Sequence, residues 1–180
     1  VKEPAIKLNT ASVTTYVGKT YTLKATVTPT ASISWKSEQP SIAKIDAKGT
    51  ITALKAGTTK ISATANGVKA TCSISVKKPI VTLDKTSVTL YEKGSVTLKA
   101  TAYGKSQTVR WSSNNKAVAE VSSSGKITAK KAGTAYISAS ANDAKKTCKV
   151  VVVKPSLSLS KTSVAVNVKG SYILPASVKG

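Results

Sequence analysis

The sequence contains no histidine, no methionine and no phenylalanine, only two cysteines and two tryptophans, and a single arginine, Arg110. Without histidine, the side chain most often used as general base and metal ligand near neutral pH is missing. Carboxylates are scarce as well: Glu3, Glu38, Asp46, Asp84, Glu92, Glu120 and Asp143 are the complete set. No Asp-x-Asp loop occurs among them, so no oxygen cage for calcium is expected. No apolar run approaches the roughly 18 residues of a membrane helix, which argues against membrane insertion. No window sustains an apolar stripe at helical spacing. One arginine among 28 basic residues also argues against a specific nucleic-acid partner, because base recognition favours the bidentate guanidinium and exposed stacking aromatics. Catalytic, cofactor-binding and metal residues are therefore all expected to be none, and the chain is not expected to be an enzyme.

What is abundant is valine, isoleucine, threonine, serine, alanine and lysine. Hydrophobic residues make up 41% of the chain, enough for a packed core. β-Branched side chains pack well on a pleated surface and favour strands. The formal net charge is +21, and a surface of that sign attracts polyanions.

The chain repeats itself. Leu8-Asn9-Thr10-Ala11-Ser12-Val13 returns as Leu83-Asp84-Lys85-Thr86-Ser87-Val88 and again as Leu159-Ser160-Lys161-Thr162-Ser163-Val164, at offsets of 75 and 76. Thr22-Leu23-Lys24-Ala25-Thr26 returns as Thr97-Leu98-Lys99-Ala100-Thr101. Trp35 returns as Trp111, Gly49 as Gly125, Lys55-Ala56-Gly57-Thr58 as Lys131-Ala132-Gly133-Thr134, and Cys72 as Cys148, each 76 residues later. None of the acids recurs in both copies. A fixed period of this length marks an array of small structural units. The expected division is a linker at 1–5 following a preceding domain, one unit at 6–78, a second at 81–154, and a truncated third at 156–180. The third is too short to bury a core of its own. It is expected to be disordered, to dock on the second unit, or to pair with an exposed edge of another chain.

Within the first unit, strands are predicted near Ile6–Leu8, Ser12–Val17, Thr20–Thr28, Ser32–Ser37, Ile42–Asp46, Thr50–Ala53, Thr58–Ala65 and Val68–Val76. Tyr21, Leu23, Ala25 and Val27 alternate with Thr22, Lys24 and Thr26. Ala70, Cys72, Ile74 and Val76 alternate with Thr71, Ser73 and Ser75. A period of two suits antiparallel sheet with one buried face, and many short strands closely spaced indicate a sandwich or barrel. Gly49, Gly57, Gly125 and Gly133 mark turns, and Asn66-Gly67 reads as a tight hairpin turn. Pro79 and Pro155 cannot donate to a ladder, so they end strands and stiffen the joints between units.

These residues carry a resemblance. Trp35-Lys36-Ser37, Ile42-Ala43-Lys44-Ile45, Gly49-Thr50-Ile51, and Ala56-Gly57-Thr58 followed by Ile61-Ser62-Ala63 succeed one another in the first unit. Trp111-Ser112-Ser113, Val118-Ala119-Glu120-Val121, Gly125-Lys126-Ile127, and Ala132-Gly133-Thr134 with Ile137-Ser138-Ala139 do so in the second. The chain closely resembles the bacterial immunoglobulin-like domain, group 2, over nearly its whole length. The resemblance implies an all-β fold of tandem immunoglobulin-like β-sandwich domains. It also implies a setting in bacterial surface or secreted proteins, including intimin- and invasin-type adhesins, or in phage structural proteins. It carries over no catalytic site.

Three sets of residues admit two readings each. Cys72 and Cys148 fall on the apolar face of a last strand, and equivalent sites in neighbouring domains lie beyond disulfide reach. They read as buried small hydrophobes before reactive thiols. Trp35 and Trp111 could stack on sugar rings, but their recurrence inside one strand motif favours core anchors, together with Leu23 and Leu98. The lysines are spread evenly, with net +9 in each full unit. They can keep strand edges from pairing and the array soluble, or they can hold an anionic polymer.

The expected function is a non-catalytic structural and adhesion module, extracellular, on the surface of a bacterium or secreted from it. It would act as a stiff spacer whose basic surface contacts anionic cell-wall polymer or polysaccharide, with neighbouring Ig-like domains of the same chain as its other partners. The alternatives are a carbohydrate- or host-ligand-binding accessory module of a secreted hydrolase, and a phage decoration domain.

Overall fold

The computed structural model describes residues 3–166, 171 and 173–179; Val1 and Lys2 of the expected linker, and part of the third repeat, lie outside the described residues. The chain divides into two compact units. The first comprises Val1–Val81 with the short segments Ala102–Thr108 and Ala141–Ala144, and the second takes the remainder.

Nine strands build the first repeat: β1 (Ala5–Leu8), β2 (Ser12–Tyr16), β3 (Thr20–Thr22), β4 (Ala25–Thr28), β5 (Ser34–Ser37), β6 (Ala43–Ile45), β7 (Thr50–Ala53), β8 (Gly57–Ala65) and β9 (Val68–Lys77). They form a four-stranded sheet in the order β2-β9-β8-β5, a three-stranded sheet β3-β7-β6 and a pair β1-β4. The fold is all-β, as the alternation of residue types requires. Its core lies between the sheets. Val13, Ile61, Cys72, Ile74 and Val76 come from the four-stranded sheet, and Ala43, Ile51 and Ala53 meet them from the three-stranded one, with Leu23 among them.

The predicted strand Thr20–Thr28 divides. β3 pairs with β7, whereas β4 pairs with β1. Between them the Leu23 N–H donates to the Gly49 carbonyl, and the Lys24 N–H donates to Asn9 Oδ1 at 2.9 Å. The backbone thus changes sheets at Leu23 and Lys24 while both N–H groups keep acceptors, and the alternation of buried and exposed residues continues through the break.

The second repeat follows the same order: β10 (Ile80–Leu83), β11 (Ser87–Tyr91), β12 (Ser95–Thr97), β13 (Ala100–Tyr103), β14 (Arg110–Ser113), β15 (Ala119–Val121), β16 (Lys126–Ala129), β17 (Gly133–Ala141) and β18 (Ala144–Val153). Its sheets are β11-β18-β17-β14, β12-β16-β15 and β10-β13. Leu98, Ala119, Ile127, Ile137, Cys148, Val150 and Val152 form its core.

One pairing breaks the antiparallel pattern in both repeats. β2 runs parallel to β9, from Ser12 beside Ser73 to Tyr16 beside Lys77. β11 runs parallel to β18, from Ser87 beside Lys149 to Tyr91 beside Val153. A strand near the start of each repeat therefore points the same way as the strand that ends it.

In the third repeat, β19 (Ser156–Leu159) pairs antiparallel with β20 (Ala176–Lys179), Leu157 opposite Val178 and Leu159 opposite Ala176. This is the pairing of β1 with β4. Leu157 and Val178 stay 67% and 71% exposed.

Candidate functional site

Cys72 and Cys148 are free and fully buried. Burial raises both thiol pKa values above 9.0; at Cys148 the carboxylate of Asp84 adds to the rise and Lys85 opposes it. A buried thiol held protonated is a poor nucleophile. Among the described residues no three His, Cys, Asp or Glu side chains gather where they could hold a metal ion.

The chemistry available lies on the surface. Every lysine whose side chain is described is exposed except Lys19, which is half-buried. Lys130 pairs with Glu120 at 2.6 Å, both about half exposed. The lysines decorate both sheets of both repeats, so the positive potential is a property of the whole surface.

Two grooves lie on the first repeat. One runs over the outer face of its four-stranded sheet. The strand register sets Ser12, Ser73 and Lys60 in one row and Thr14, Ser75 and Thr58 in the next. These residues, with Glu38 and Gln39, line a volume of about 430 Å³. In the second repeat the positions of Lys60, Ser73 and Ser75 hold the larger Tyr136, Lys149 and Val151.

The other groove, of about 440 Å³, lies beside Trp35 and is flanked by Lys24 and Lys48, with Ala31, Ile33 and Ala47. Its backbone is tightly fixed. Asp46 Oδ1 accepts from the N–H groups of Lys48 and Thr50 at 2.9 and 2.8 Å, which closes the turn between β6 and β7. Gly49, at φ +80, sits in that turn, where a Cβ would stand 2.4 Å from the Leu23 carbonyl oxygen and 3.2 Å from the Trp35 ring. Only glycine allows the turn to lie flat against the indole. Gly125 occupies the same position against Leu98 and Trp111.

The residues singled out in the sequence sort accordingly. Leu23, Leu98, Cys72 and Cys148 are buried; Trp35 and Trp111 are half-buried and pack on their respective cores. Gly49 and Gly125 stand in turns, whereas Gly57 and Gly133 are the first residues of β8 and β17, close against Ile42 and Val118. What the sequence did not disclose is that Trp35 also lines a groove. The signal was present in Lys24 and Lys48, but those residues are far apart in sequence and line one groove only in the fold, where the Leu23 N–H donates to the Gly49 carbonyl.

The chain belongs to the family of bacterial Ig-like domains, group 2, whose model matches residues 4–76 and 79–152. It is similar to the solved structure of domains 4 and 5 of the S-layer protein SbsC, with 22% identity and a TM-score of 0.49 over 84% of this chain and 100% of that one. It is also similar to a longer SbsC fragment, domains 4–9, at 19% identity and TM-score 0.49, covering 98% of this chain and 36% of that one. A third similar structure is a C-terminal fragment of intimin in complex with the intimin-binding domain of its translocated receptor. There the identity is 19% and the TM-score 0.38, over 92% of this chain and 69% of that fragment. No curated protein matches the chain.

Proposed function

We propose that this chain is a non-catalytic structural and adhesion module of a bacterial cell-surface or secreted protein, a spacer that carries tension. The observation that supports this reading is the parallel pairing of β2 with β9 and of β11 with β18. Pulling on the two ends of either repeat slides the paired strands along each other. Their backbone hydrogen bonds are then loaded together instead of opening one after another, which makes forced unfolding slow. Membership of the bacterial Ig-like family agrees with such a role. Single-molecule pulling tests it. Each full repeat should yield in one discrete event that releases roughly 200–240 Å of extended chain. Gradual extension at low force, without discrete events, rules the reading out.

The exposed lysines support a finer statement: the surface clings to anionic cell-wall polymer. Such attachment is electrostatic and weakens as salt screens it. Purified Gram-positive walls should co-sediment with the chain at low salt and lose it steeply as salt rises. Walls stripped of their anionic polymers should not retain it. Retention by stripped walls, or no retention by intact walls even at low salt, counts against the finer statement and leaves the spacer.

A further inference from the structure

We propose that the groove beside Trp35 binds an acidic sugar residue, a hexuronate within an anionic polysaccharide. The proposal rests on the reading of the basic surface as an anionic-polymer surface and gives that reading a defined site. A pyranose ring presents an apolar C–H face and a polar rim. The groove offers matching chemistry: a half-buried indole with Ala31, Ile33 and Ala47, and two lysines, Lys24 and Lys48, all among its lining residues. The groove is an open depression of about 440 Å³, suited to one residue of a chain that continues past it. Charge complementarity selects the occupant. A neutral sugar leaves both lysines unused, whereas a carboxylate accepts charge-assisted hydrogen bonds from them.

Preorganisation strengthens the case. Lys24 follows Leu23 directly, and its backbone is pinned on both sides of the peptide by Asn9: the Lys24 N–H donates to Asn9 Oδ1, and the Asn9 N–H donates to the Lys24 carbonyl. Lys48 is at the tip of a turn tied by Asp46. Gly49 brings that turn against both the Leu23 carbonyl and the indole. Both lysine stems therefore leave backbone whose position relative to the ring is fixed, so the ordering left for a ligand is that of the two side chains.

The second repeat keeps the tryptophan and one lysine, Lys99, but has Ser124 where Lys48 stands and Gln107 where Ala31 stands. The site belongs to the first repeat alone, and this makes the proposal testable within one molecule.

The test is a titration of the whole chain with tetragalacturonate, read by the indole N–H signals of Trp35 and Trp111 in heteronuclear NMR spectra. A saturable shift of Trp35, with Trp111 unmoved, is expected. K48S and K24S, both at exposed positions, should each weaken the apparent affinity about tenfold while the melting temperature holds. Neutral tetragalactoside should leave Trp35 unmoved. Equal shifts of both indoles, affinity indifferent to K24S and K48S, or an equal response to the neutral sugar would each overturn the proposal. A poly(glycerol phosphate) arm separates the source of the anion, since that polymer has no ring to stack. An equal response to it overturns the sugar assignment. Wall co-sedimentation keeps this outcome apart from the broader reading. If Trp35 does not respond but salt-sensitive wall binding persists, the groove fails and the anionic-polymer surface stands. If wall binding itself is absent, the underlying reading fails.

Discussion

The two full repeats are one design carried out twice, and they agree and disagree in different places. Leu23 and Leu98, Ile51 and Ile127, Ile61 and Ile137, Ala43 and Ala119, and Cys72 and Cys148 are the same residues at equivalent positions, all 1% exposed or less. The outer surfaces have moved apart. Ser34, Lys44, Lys48, Leu54, Lys60, Ser73 and Ser75 of the first repeat stand where the second has Arg110, Glu120, Ser124, Lys130, Tyr136, Lys149 and Val151. Among the buried pairs Ile74 gives way to Val150, but close packing explains most of the agreement, because a core position feels the gain or loss of a single methylene. A surface position does not, and can take up or lose a binding role. The lesson is that the shared residues describe the sandwich, and the unshared ones are where function specific to one repeat must be sought.

The largest effect should come from the glycine that both repeats share. G49A would place a Cβ 2.4 Å from the Leu23 carbonyl oxygen at φ +80, and G125A one 2.5 Å from the Leu98 carbonyl at φ +84. Each should cost its own repeat about 3 kcal/mol or more, from positive φ together with a backbone clash. The measurement is a denaturant titration in which Trp35 and Trp111 report separately. The control is G67A, where φ is +75 but nothing lies within 4 Å; there only the conformational cost remains, about 1–2 kcal/mol. If G49A costs no more than G67A, the flat turn against the indole is not what holds the three-stranded sheet in place.

The buried thiols come next. C72A removes a sulfur from a fully buried site and should cost about 1–2 kcal/mol. C72S buries a more polar hydroxyl opposite the Ser73 carbonyl, which the thiol sulfur faces at 3.8 Å, too far for a normal O–H···O bond, and should cost about 1–3 kcal/mol beyond that. The same order is expected for Cys148. Both thiols also confer a pH dependence whose sign follows from burial. Their pKa values are raised above 9.0 in the fold, so the unfolded chain releases these protons first. Their contribution to stability is complete below pH 9.0 and is lost as pH rises through the folded values. Urea midpoints at pH 8 and pH 10 should therefore differ more for the wild-type chain than for C72A/C148A. An equal difference would mean that the thiols do not contribute.

Much of this architecture can be read in the chain because period and alternation are local properties. Ala70 to Val76 alternates as a strand with one buried face must, and its burial follows that alternation. Other features depend on contacts between distant residues. The division of Thr20–Thr28 into β3 and β4 is decided by the Asn9 side chain and the Gly49 carbonyl, neither of which is near in sequence. The turn at Asn142-Asp143 contains no glycine, yet both residues adopt positive φ, 50° and 64°, like Asn66-Gly67 at 50° and 75°. Asparagine and aspartate tolerate that region, but a reading that looks for glycine passes over them. The groove beside Trp35 was hidden for a related reason. The recurrence of the tryptophan explained it as core, while the lysine that distinguishes the two copies lies 13 residues further on.

The turn between the third and second sheet strands is fastened differently in the two repeats, and that difference can be exchanged. Asp46 Oδ1 accepts from Lys48 and Thr50 at 2.9 and 2.8 Å, whereas Ser122 Oγ accepts from Ser124 and Lys126 at 3.3 and 3.2 Å. Hydrogen bonds to a carboxylate are shorter and stronger than those to a hydroxyl. D46A should destabilise the first repeat by about 1–2 kcal/mol, and S122D should stabilise the second by about 0.5–1 kcal/mol. If S122D leaves the second transition where it was, the shorter bonds around Asp46 have no energetic consequence.

The smallest effect concerns the surface itself. Glu120 and Lys130 form an ion pair in the second repeat, where the first has Lys44 and Leu54. Both partners are nearly half exposed, so solvent screens the attraction, and the two side chains lose rotamer freedom to make it. E120K, which installs the first repeat's residue, should shift the second transition by no more than about 0.5 kcal/mol, with even that difference fading in high salt. Its effect on wall binding should be larger in proportion, because two units of positive charge are gained at no structural cost. A substitution that leaves stability nearly unchanged but strengthens salt-sensitive attachment would separate stability from the proposed attachment. A loss of well over 1 kcal/mol would instead mean that this surface is held by its charges, and the freedom of the outer faces to diverge would need another explanation.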